Sequence, residues 1–197
     1  PEDAYDSRGK RPAEMAWQKA SLVDPRKEGI GRFKGLMNVG IALKSNHLVI
    51  DVDVSDGKQG WDSFIRLQKD LSLWSGKPVD LIEASSAVVK TPSGGLHIYF
   101  SKSPEFKIRK NLSNPLTREK YPHIDFLTEN NYTVAPPSTH KTGASYQFLQ
   151  ALDASGEAYI KDGLDTLTQV PAVFINYFAN KRTKETQKDS LNTHQEE

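Results

Sequence analysis

The 197-residue sequence predicts a mixed α/β domain built mainly of antiparallel strands. Short apolar runs such as residues 48–52 and 96–100 are bounded by glycine or polar turns, which is typical of strands. Between them, residues 61–74 carry apolar side chains at helical spacing and predict one long helix. Many short strands and few helices together favour the mixed class.

The composition excludes several kinds of site. Charged residues make up 26% of the chain and the formal net charge is +1, so attraction to a polyanion requires local basic patches or bound cations. The chain has no cysteine, which excludes disulfides, cysteine-ligated zinc, iron–sulfur clusters and cysteine nucleophiles. No apolar run approaches the ~20 residues of a membrane-spanning helix, so we expect a cytoplasmic protein without membrane contact.

The chain starts with Pro1-Glu2-Asp3-Ala4, which is neither a signal peptide nor an initiator methionine. We therefore expect a fragment of a longer protein. Residues 1–180 are expected to fold as one domain. Residues 181–197 are polar and poor in apolar side chains, which predicts a disordered tail or a linker to a missing C-terminal region.

The first half of the chain is expected to contain two short helices, over residues 12–20 and 24–33, and then a strand over 36–43. A turn leads from it into the strand that ends at Asp51 and Asp53.

The long helix is expected to start at a capping box formed by Asp56 and Gln59 and to end at Gly76. Its apolar stripe is interpreted as core packing. The stripe consists of Trp61, Phe64, Ile65, Leu67, Leu71 and Trp74.

The second half of the chain is expected to be richer in strands. A polar loop or insertion over residues 103–122 separates the earlier strands from the later ones, and a helix over 170–179 ends the domain. The predicted strands cover residues 87–90, 96–100, 123–127, 132–135 and 145–149.

Asp51 and Asp53 end an apolar strand and point the same way, because side chains alternate along a strand. Their Cβ atoms are expected ~6–7 Å apart, a spacing that suits carboxylates sharing divalent cations. Adjacent like charges at a buried strand end are costly without such a cation. A simple turn entry is the structural alternative.

The turn from Thr91 to Gly95 is the second informative stretch. Ser93 offers a hydroxyl, and Gly94 and Gly95 let backbone N–H groups turn toward one ligand, which suits phosphate oxygens. His97 follows at the start of the next strand. A tight hairpin with a hydrogen-bonded histidine explains the same residues without any ligand.

Two further pieces carry polar groups. Asp125 lies in an apolar strand, where an ionised carboxylate needs a partner: either a neighbouring backbone group or lysine, or a cation shared with the Asp51 pair. Residues 136–143 begin with a Pro-Pro pair, which is followed by Ser138, His140 and Lys141. These side chains suit a polyphosphate, but they also make an ordinary loop.

In combination, these motifs resemble the Prim-Pol (bifunctional primase-polymerase) branch of the archaeo-eukaryotic primase superfamily, found in plasmid and phage replication proteins. The resemblance spans Lys10 to Phe148. It departs at Glu129-Asn130-Asn131, where the family often has glycines, and it lacks the zinc-binding element of some relatives. The matching motifs are residues 9–12 with Trp17, 38–41, 49–53, 91–100, 124–125 and 132–140 with Gly143 and Tyr146.

The resemblance implies a two-lobed core, with one lobe similar to an RNA-recognition motif. It implies template-directed nucleotidyl transfer by a DNA polymerase or primase, with two Mg²⁺ or Mn²⁺ ions held by Asp51, Asp53 and Asp125. His97 would contact the triphosphate of the incoming nucleotide. The remaining residues implied at the phosphate site are Ser93, Gly94, Gly95, Ser138, His140 and Lys141.

The implied partners are a single-stranded or primed DNA template, dNTP or NTP substrates, and a fused C-terminal helical or helicase region. A basic stretch is our candidate for the template strand, through phosphate contacts; a solvated surface loop is the alternative. Its basic residues are Lys107, Arg109, Lys110, Arg118 and Lys120.

Three rival functions fit part of the pattern. A metal-dependent nuclease would use the same carboxylates and histidine. A glycosyltransferase with a DxD motif would bind a nucleotide sugar, but leaves residues 136–140 unexplained. A module without catalytic activity would only grip single-stranded nucleic acid.

Overall fold

The computed structural model describes residues 38–108 and 115–179. Nine strands and four helices are present within these ranges. The strands are β1 (Val39–Ala42), β2 (His47–Val52), β3 (Ala87–Lys90), β4 (Leu96–Ser101), β5 (Ile124–Leu127), β6 (Tyr132–Ala135), β7 (Gln147–Phe148), β8 (Gln150–Leu152) and β9 (Ala158–Ile160). The helices are α1 (Gly60–Ser75), α2 (Leu81–Ala84), α3 (Pro115–Lys120) and α4 (residues 172–179).

The main sheet has five strands in the order β5-β2-β4-β3-β7, and every neighbouring pair is antiparallel. A two-stranded sheet pairs β1 with β6, and a third pairs β8 with β9. The predicted mixed class with mainly antiparallel sheets is confirmed. The RNA-recognition-motif likeness of one lobe stays a prediction.

The two faces of the main sheet bury different partners because side chains alternate along each strand. On one face, Leu48 and Ile50 of β2 pack in a core with Phe64 of α1 and Phe174 of α4. Burying each of these side chains contributes about 1.5–3 kcal/mol. On the other face, Val49 packs against residues in and beside the small β1–β6 sheet. Asp51 falls on this second face, which also carries Val49.

A polar cluster ties α4 to α1 beneath the sheet. The Tyr121 hydroxyl, in a fully buried residue, donates to Asp70 Oδ2 at 2.5 Å and lies 2.6 Å from the Tyr177 hydroxyl. Lys120 Nζ forms an ion pair with the same Asp70 oxygen at 2.5 Å. The cluster satisfies groups that would be costly to bury alone.

The start of α1 differs from the predicted capping box. Asp56 lies in a short 3₁₀ turn, Ser55–Gly57, with a φ of 53°, and makes no cap. Gln59 is the N-cap residue, without a side-chain cap hydrogen bond. The predicted end is confirmed, since Gly76 adopts the left-handed conformation with φ 70°.

The apolar stripe on α1 is only partly core. Phe64, Leu67 and Leu71 are buried as predicted, but the prediction is wrong for the others: Trp61 is 39%, Ile65 60% and Trp74 47% exposed. Helical periodicity identifies an apolar side but does not say how much of it another element covers.

Several other expectations need correction or lie outside the described residues. The predicted loop over 103–122 contains helix α3, and neither α2 nor the β8–β9 hairpin was predicted. The helices expected over 12–20 and 24–33 and the tail 181–197 lie outside the described residues. No described helix is both long enough and apolar enough to cross a bilayer.

Candidate active site

Three neighbouring strands place three predicted site residues in one row. Asp51 at the centre of the row is the direct register partner of His97 on β4 and of Asp125 on β5. Direct partners on antiparallel strands project to the same face, with Cβ atoms about 4.5–5.5 Å apart. The two carboxylates and the imidazole are therefore neighbours on one face of the main sheet, the face that carries Val49.

His97 is buried beside Asp51, with only 8% of the residue exposed. Its Nε2 atom lies 3.6 Å from Asp51 Oδ1, and its ring lies near the rings of Tyr99 and Tyr146. The Nδ1 atom is buried and has no hydrogen-bond partner. A buried polar atom without a partner costs about 1–3 kcal/mol, so this nitrogen is suited to bonding a ligand.

Asp53 lies just past the end of β2 and is engaged locally. Its Oδ1 accepts hydrogen bonds from the Ser55 backbone N–H at 2.9 Å and the Ser55 hydroxyl at 2.7 Å, and Lys58 Nζ contacts Oδ2 at 2.5 Å. Partial burial opposes ionisation, but the bonds from Lys58 and Ser55 outweigh it and hold the pKa of Asp53 below its usual value. Lys58 is thus a site residue that the sequence analysis missed.

The carboxylates suit hard divalent cations, although they do not yet form a complete ligand set. Within residues 38–108 and 115–179, no three His, Asp or Glu side chains form a group that could hold a metal ion. Asp53 is held by Lys58, which occupies one of its oxygens. Asp51 and Asp125 stand directly opposite each other on adjacent strands, so their carboxylates belong to the same face of the sheet.

Both glycines of the turn from Thr91 to Gly95 are required by its backbone geometry. The Gly94 N–H donates to Thr91 O at 2.9 Å, with Gly94 at a φ of 90°, so this amide closes the turn. A Cβ on Gly95 would lie 2.0 Å from Val52 O, so only glycine lets the turn approach the end of β2. The hydroxyls of Thr91 and Ser93, 3.1 Å apart, are the groups that the turn presents.

Residues 136–146 are fastened to β1 by polar groups. Ser138 is only 2% exposed, and its Oγ accepts a hydrogen bond from the Val39 N–H at 2.7 Å. The Asn38 side chain pairs with the Thr139 backbone in both directions, at 2.8 and 2.9 Å. Ser138 therefore holds the loop in place and does not line either cavity described below.

The tip of the same loop faces the carboxylates. His140 N–H donates to Ala144 O at 2.8 Å, and Gly143 turns the chain with a φ of 85°. His140 Nδ1 lies 3.0 Å from the Thr142 hydroxyl. This short hairpin brings an imidazole, a hydroxyl and the Lys141 ammonium to one opening.

A first cavity of about 430 Å³ lies between this hairpin, the glycine turn and the end of β2. Hydroxyl, imidazole, ammonium and carboxylate groups line it, which suits a polyphosphate whose charge is shared with cations. Gly94 and Gly95 do not line it, and neither does Asp125. Its lining residues are Asp51, Val52, Asp53, Val54, Ser55, Asp56, Thr91, Pro92, Ser93, His97, His140, Lys141, Thr142 and Tyr146.

A second cavity of about 310 Å³ adjoins the first along a wall made by Asp51, His97 and Tyr146. Burial, with a smaller contribution from Asp51, raises the pKa of Tyr146, so its hydroxyl stays protonated at neutral pH. In the sequence, Tyr146 stands out only as part of a motif. The other lining residues are Leu127, Asn130, Asn131, Tyr132, Thr133 and Val134.

The basic stretch proposed for the template lies apart from both cavities as far as it is described. Lys107 and Arg118 are exposed. Lys120 is paired with Asp70. Arg109 and Lys110 lie outside the described residues.

Comparison with known families gives one match. The family model for the Prim-Pol domain, described as bifunctional DNA primase/polymerase, N-terminal, matches residues 4–166. This range includes every residue that lines the two cavities. Neither the curated proteins nor the solved structures yield a match to the chain.

Proposed function

We propose a specific reaction for this chain, which belongs to the bifunctional DNA primase/polymerase N-terminal family. Membership indicates a nucleotidyltransferase-type enzyme with a primase or polymerase role in replication. The proposed reaction joins an incoming nucleotide to a 3′-hydroxyl opposite a DNA template. The observation that supports it is the row of Asp125, Asp51 and His97 beside a cavity lined by phosphate-binding groups.

Asp51 and Asp125 are proposed to hold Mg²⁺ or Mn²⁺, since two opposed carboxylates on adjacent strands supply hard oxygen ligands. Asp53 is the third proposed ligand, and it becomes available when Lys58 gives up its contact. When bound, such ions lower the pKa of the attacking hydroxyl and stabilise the leaving pyrophosphate.

The first cavity is proposed to bind the triphosphate. The Lys141 ammonium supplies positive charge, and the hydroxyls of Ser93 and Thr142 supply hydrogen-bond donors. His140 lines the same opening. Gly94, Gly95 and Ser138 contribute by shaping the turn and anchoring the loop, rather than by contact with the phosphates.

His97 is proposed to bond a phosphate oxygen, since its ring lines the first cavity. This requires a proton on the ring nitrogen that faces the phosphate, because only a protonated ring nitrogen donates. The ring is fixed by its burial and by the neighbouring Tyr99 and Tyr146 rings. A donor held rigidly beside a phosphate oxygen would stabilise the charge that shifts toward that oxygen during transfer.

Single-stranded or primed DNA is the proposed template, and dNTPs or NTPs are the proposed substrates. The basic stretch with Lys107 and Arg118 remains the proposed template contact, and Lys120 contributes less because it is paired with Asp70. A fused C-terminal helical or helicase region is proposed as a further partner.

The test is a primer-extension assay with a labelled primed template, dNTPs and Mn²⁺ or Mg²⁺. We expect metal-dependent extension by the unaltered chain and its loss in Asp51→Asn and Asp125→Asn. Asp165→Asn is the matched control, because it makes the same chemical change at an exposed carboxylate outside both cavities. Strand cleavage without extension would replace this proposal with a metal-dependent nuclease.

A further inference from the structure

Two cavities extend from the wall of Asp51 and His97 in opposite directions along β2. The first reaches the end of β2, where Val52 adjoins the glycine turn. The second reaches the β5–β6 turn, on the side of β2 where Val49 pairs with Leu127. Asp51 and His97 therefore stand between the two cavities.

The two spaces offer different chemistry. The first presents the Lys141 ammonium and several hydroxyls. Among the described residues that line the second, none is a lysine or an arginine. Instead the second presents the rings of Tyr132 and Tyr146 and the amides of Asn130 and Asn131. Aromatic rings and amides suit a base and a sugar, whereas phosphates favour cationic donors.

The in-line geometry of phosphoryl transfer determines from which cavity each reactant approaches. The attacking oxygen and the leaving group lie roughly in line on opposite sides of the phosphorus atom. If the triphosphate occupies the first cavity, as proposed above, pyrophosphate leaves on that side. The attacking hydroxyl must then approach from the second cavity.

We propose that the second cavity binds the 3′-terminal nucleoside of the strand being extended. This inference rests on the proposed function and adds the subsite that supplies the nucleophile. The volume of about 310 Å³ is at the lower end of ligand pockets, which suits one nucleoside rather than a length of duplex.

The β5–β6 turn forms the rim of this subsite without using all of its side chains for folding. Asn131 Nδ2 donates to Thr128 O at 3.1 Å and to Glu129 O at 3.2 Å, so Asn131 builds the turn. Asn130 adopts the left-handed conformation with φ 66°, and its side chain is exposed at the cavity. Asparagine and aspartate both tolerate this conformation, so Asn130→Asp keeps the turn.

Photocrosslinking tests the occupant directly and requires binding rather than turnover. A primer with 4-thiothymine as its 3′-terminal base is annealed to a template, bound to the protein in Mg²⁺, irradiated, and mapped by peptide mass spectrometry. We expect adducts within residues 128–134, chiefly at Tyr132. Adducts at residues 91–93 or 140–142 would overturn the proposal. Adducts at Tyr132 from a thiothymidine triphosphate would also overturn it, by assigning this cavity to the incoming nucleotide.

The KM values of substituted chains test the same assignment independently. Tyr132→Ala is expected to raise the KM for primed template about tenfold through loss of stacking, with the KM for the nucleotide changed less than about twofold. Tyr132→Phe keeps the ring and should stay close to the unaltered chain. Lys141→Gln should raise the KM for the nucleotide and leave the KM for primed template nearly unchanged. A Tyr132→Ala effect confined to the nucleotide KM would refute the assignment.

Asn130→Asp covers the case in which Tyr132→Ala fails to fold, as judged by its melting curve. It adds a negative charge at the rim of a site that would hold the end of a polyanionic strand, and it should therefore raise the primer KM several-fold. Equal primer KM values for Asn130→Asp and the unaltered chain would count against the subsite. Absence of any extension by the unaltered chain would refute the proposed function alone, because crosslinking still identifies the occupant of the cavity.

Discussion

Replacing Gly95 by alanine tests the close approach between the glycine turn and β2. A Cβ at this position would lie 2.0 Å from Val52 O, whereas ordinary contacts begin at 3.4 Å. Relieving the clash requires the two backbones to separate by about 1.4 Å. Both groups belong to hydrogen-bonded backbone, so neither can rotate away as a flexible side chain would.

The expected cost follows from that displacement. Overpacking of a core costs about 1–3 kcal/mol and occasionally more, and the rigid partner here places Gly95→Ala near the upper end, at about 3 kcal/mol of unfolding free energy. Val52 is flanked by Asp51 and Asp53, so the same movement displaces the proposed metal ligands. A misplacement of ~1 Å at a reacting centre can lower the rate ~100-fold.

The assay combines urea denaturation, followed by tryptophan fluorescence, with primer extension under conditions in which the variant is folded. Gly156→Ala is the matched control, because Gly156 has a φ of 86° and no atom within 4 Å of the added Cβ. It should lose only the ~1–2 kcal/mol of left-handed strain and keep full extension. If Gly95→Ala matched the stability and extension of the unaltered chain, the structural reasoning would be refuted.

Three further predictions concern other contacts. Lys58→Met should lower stability at pH 7 by less than about 1 kcal/mol, since the pair with Asp53 is partly solvent-exposed. Because the pKa of Asp53 is lowered in the folded protein, this difference is present above the ordinary pKa of 3.8 and decreases as the pH falls through the lowered pKa. Urea titrations should therefore give a smaller difference at pH 2.5 than at pH 7. Equal differences at both pH values would contradict this reasoning. Ser138→Ala should lower the free energy of unfolding by about 1–3 kcal/mol, because the Val39 N–H loses its hydrogen-bond partner. It should also raise the KM for the nucleotide, because the loop is held less firmly. An unchanged KM would show that this anchor is not needed for substrate binding. Tyr121→Phe should lower the melting temperature, because it removes the buried hydroxyl that bonds Asp70. Primer extension by the folded variant should stay unchanged. An unchanged melting temperature would show that this hydroxyl contributes no stability.

The strands around the site could be predicted because their apolar runs are bounded by clear turns. Alternation also places Asp51 and Val52 on opposite faces. The pairing of the strands could not be predicted in the same way, because β2 pairs with β5, which lies far along the chain. A sequence pattern gives each strand separately but not its register with a distant strand. The alignment of Asp51 with Asp125 therefore needed the structure or the resemblance to the family.

The roles of polar residues were harder to predict than their presence near the site. Gly95 and Ser138 were interpreted as phosphate-binding, yet one permits a close backbone approach and the other anchors a loop. Both functions depend on a neighbour distant in sequence. Asn130 stands where the family often has glycine, and its left-handed backbone shows how a non-glycine residue fills that turn position.

The central position of β2 has a consequence for how the protein tolerates change. Its interior residues Leu48, Val49 and Ile50 are fully buried, and neighbours on both sides hold its backbone. The amide hydrogens of such a strand exchange with solvent only when the whole domain opens. The hairpin tip at residues 140–142 is not part of the main sheet, and the hydrogen bonds described above for it lie within the hairpin itself. Substitutions at the tip can therefore alter the proposed nucleotide contacts while the carboxylate on β2 keeps its position.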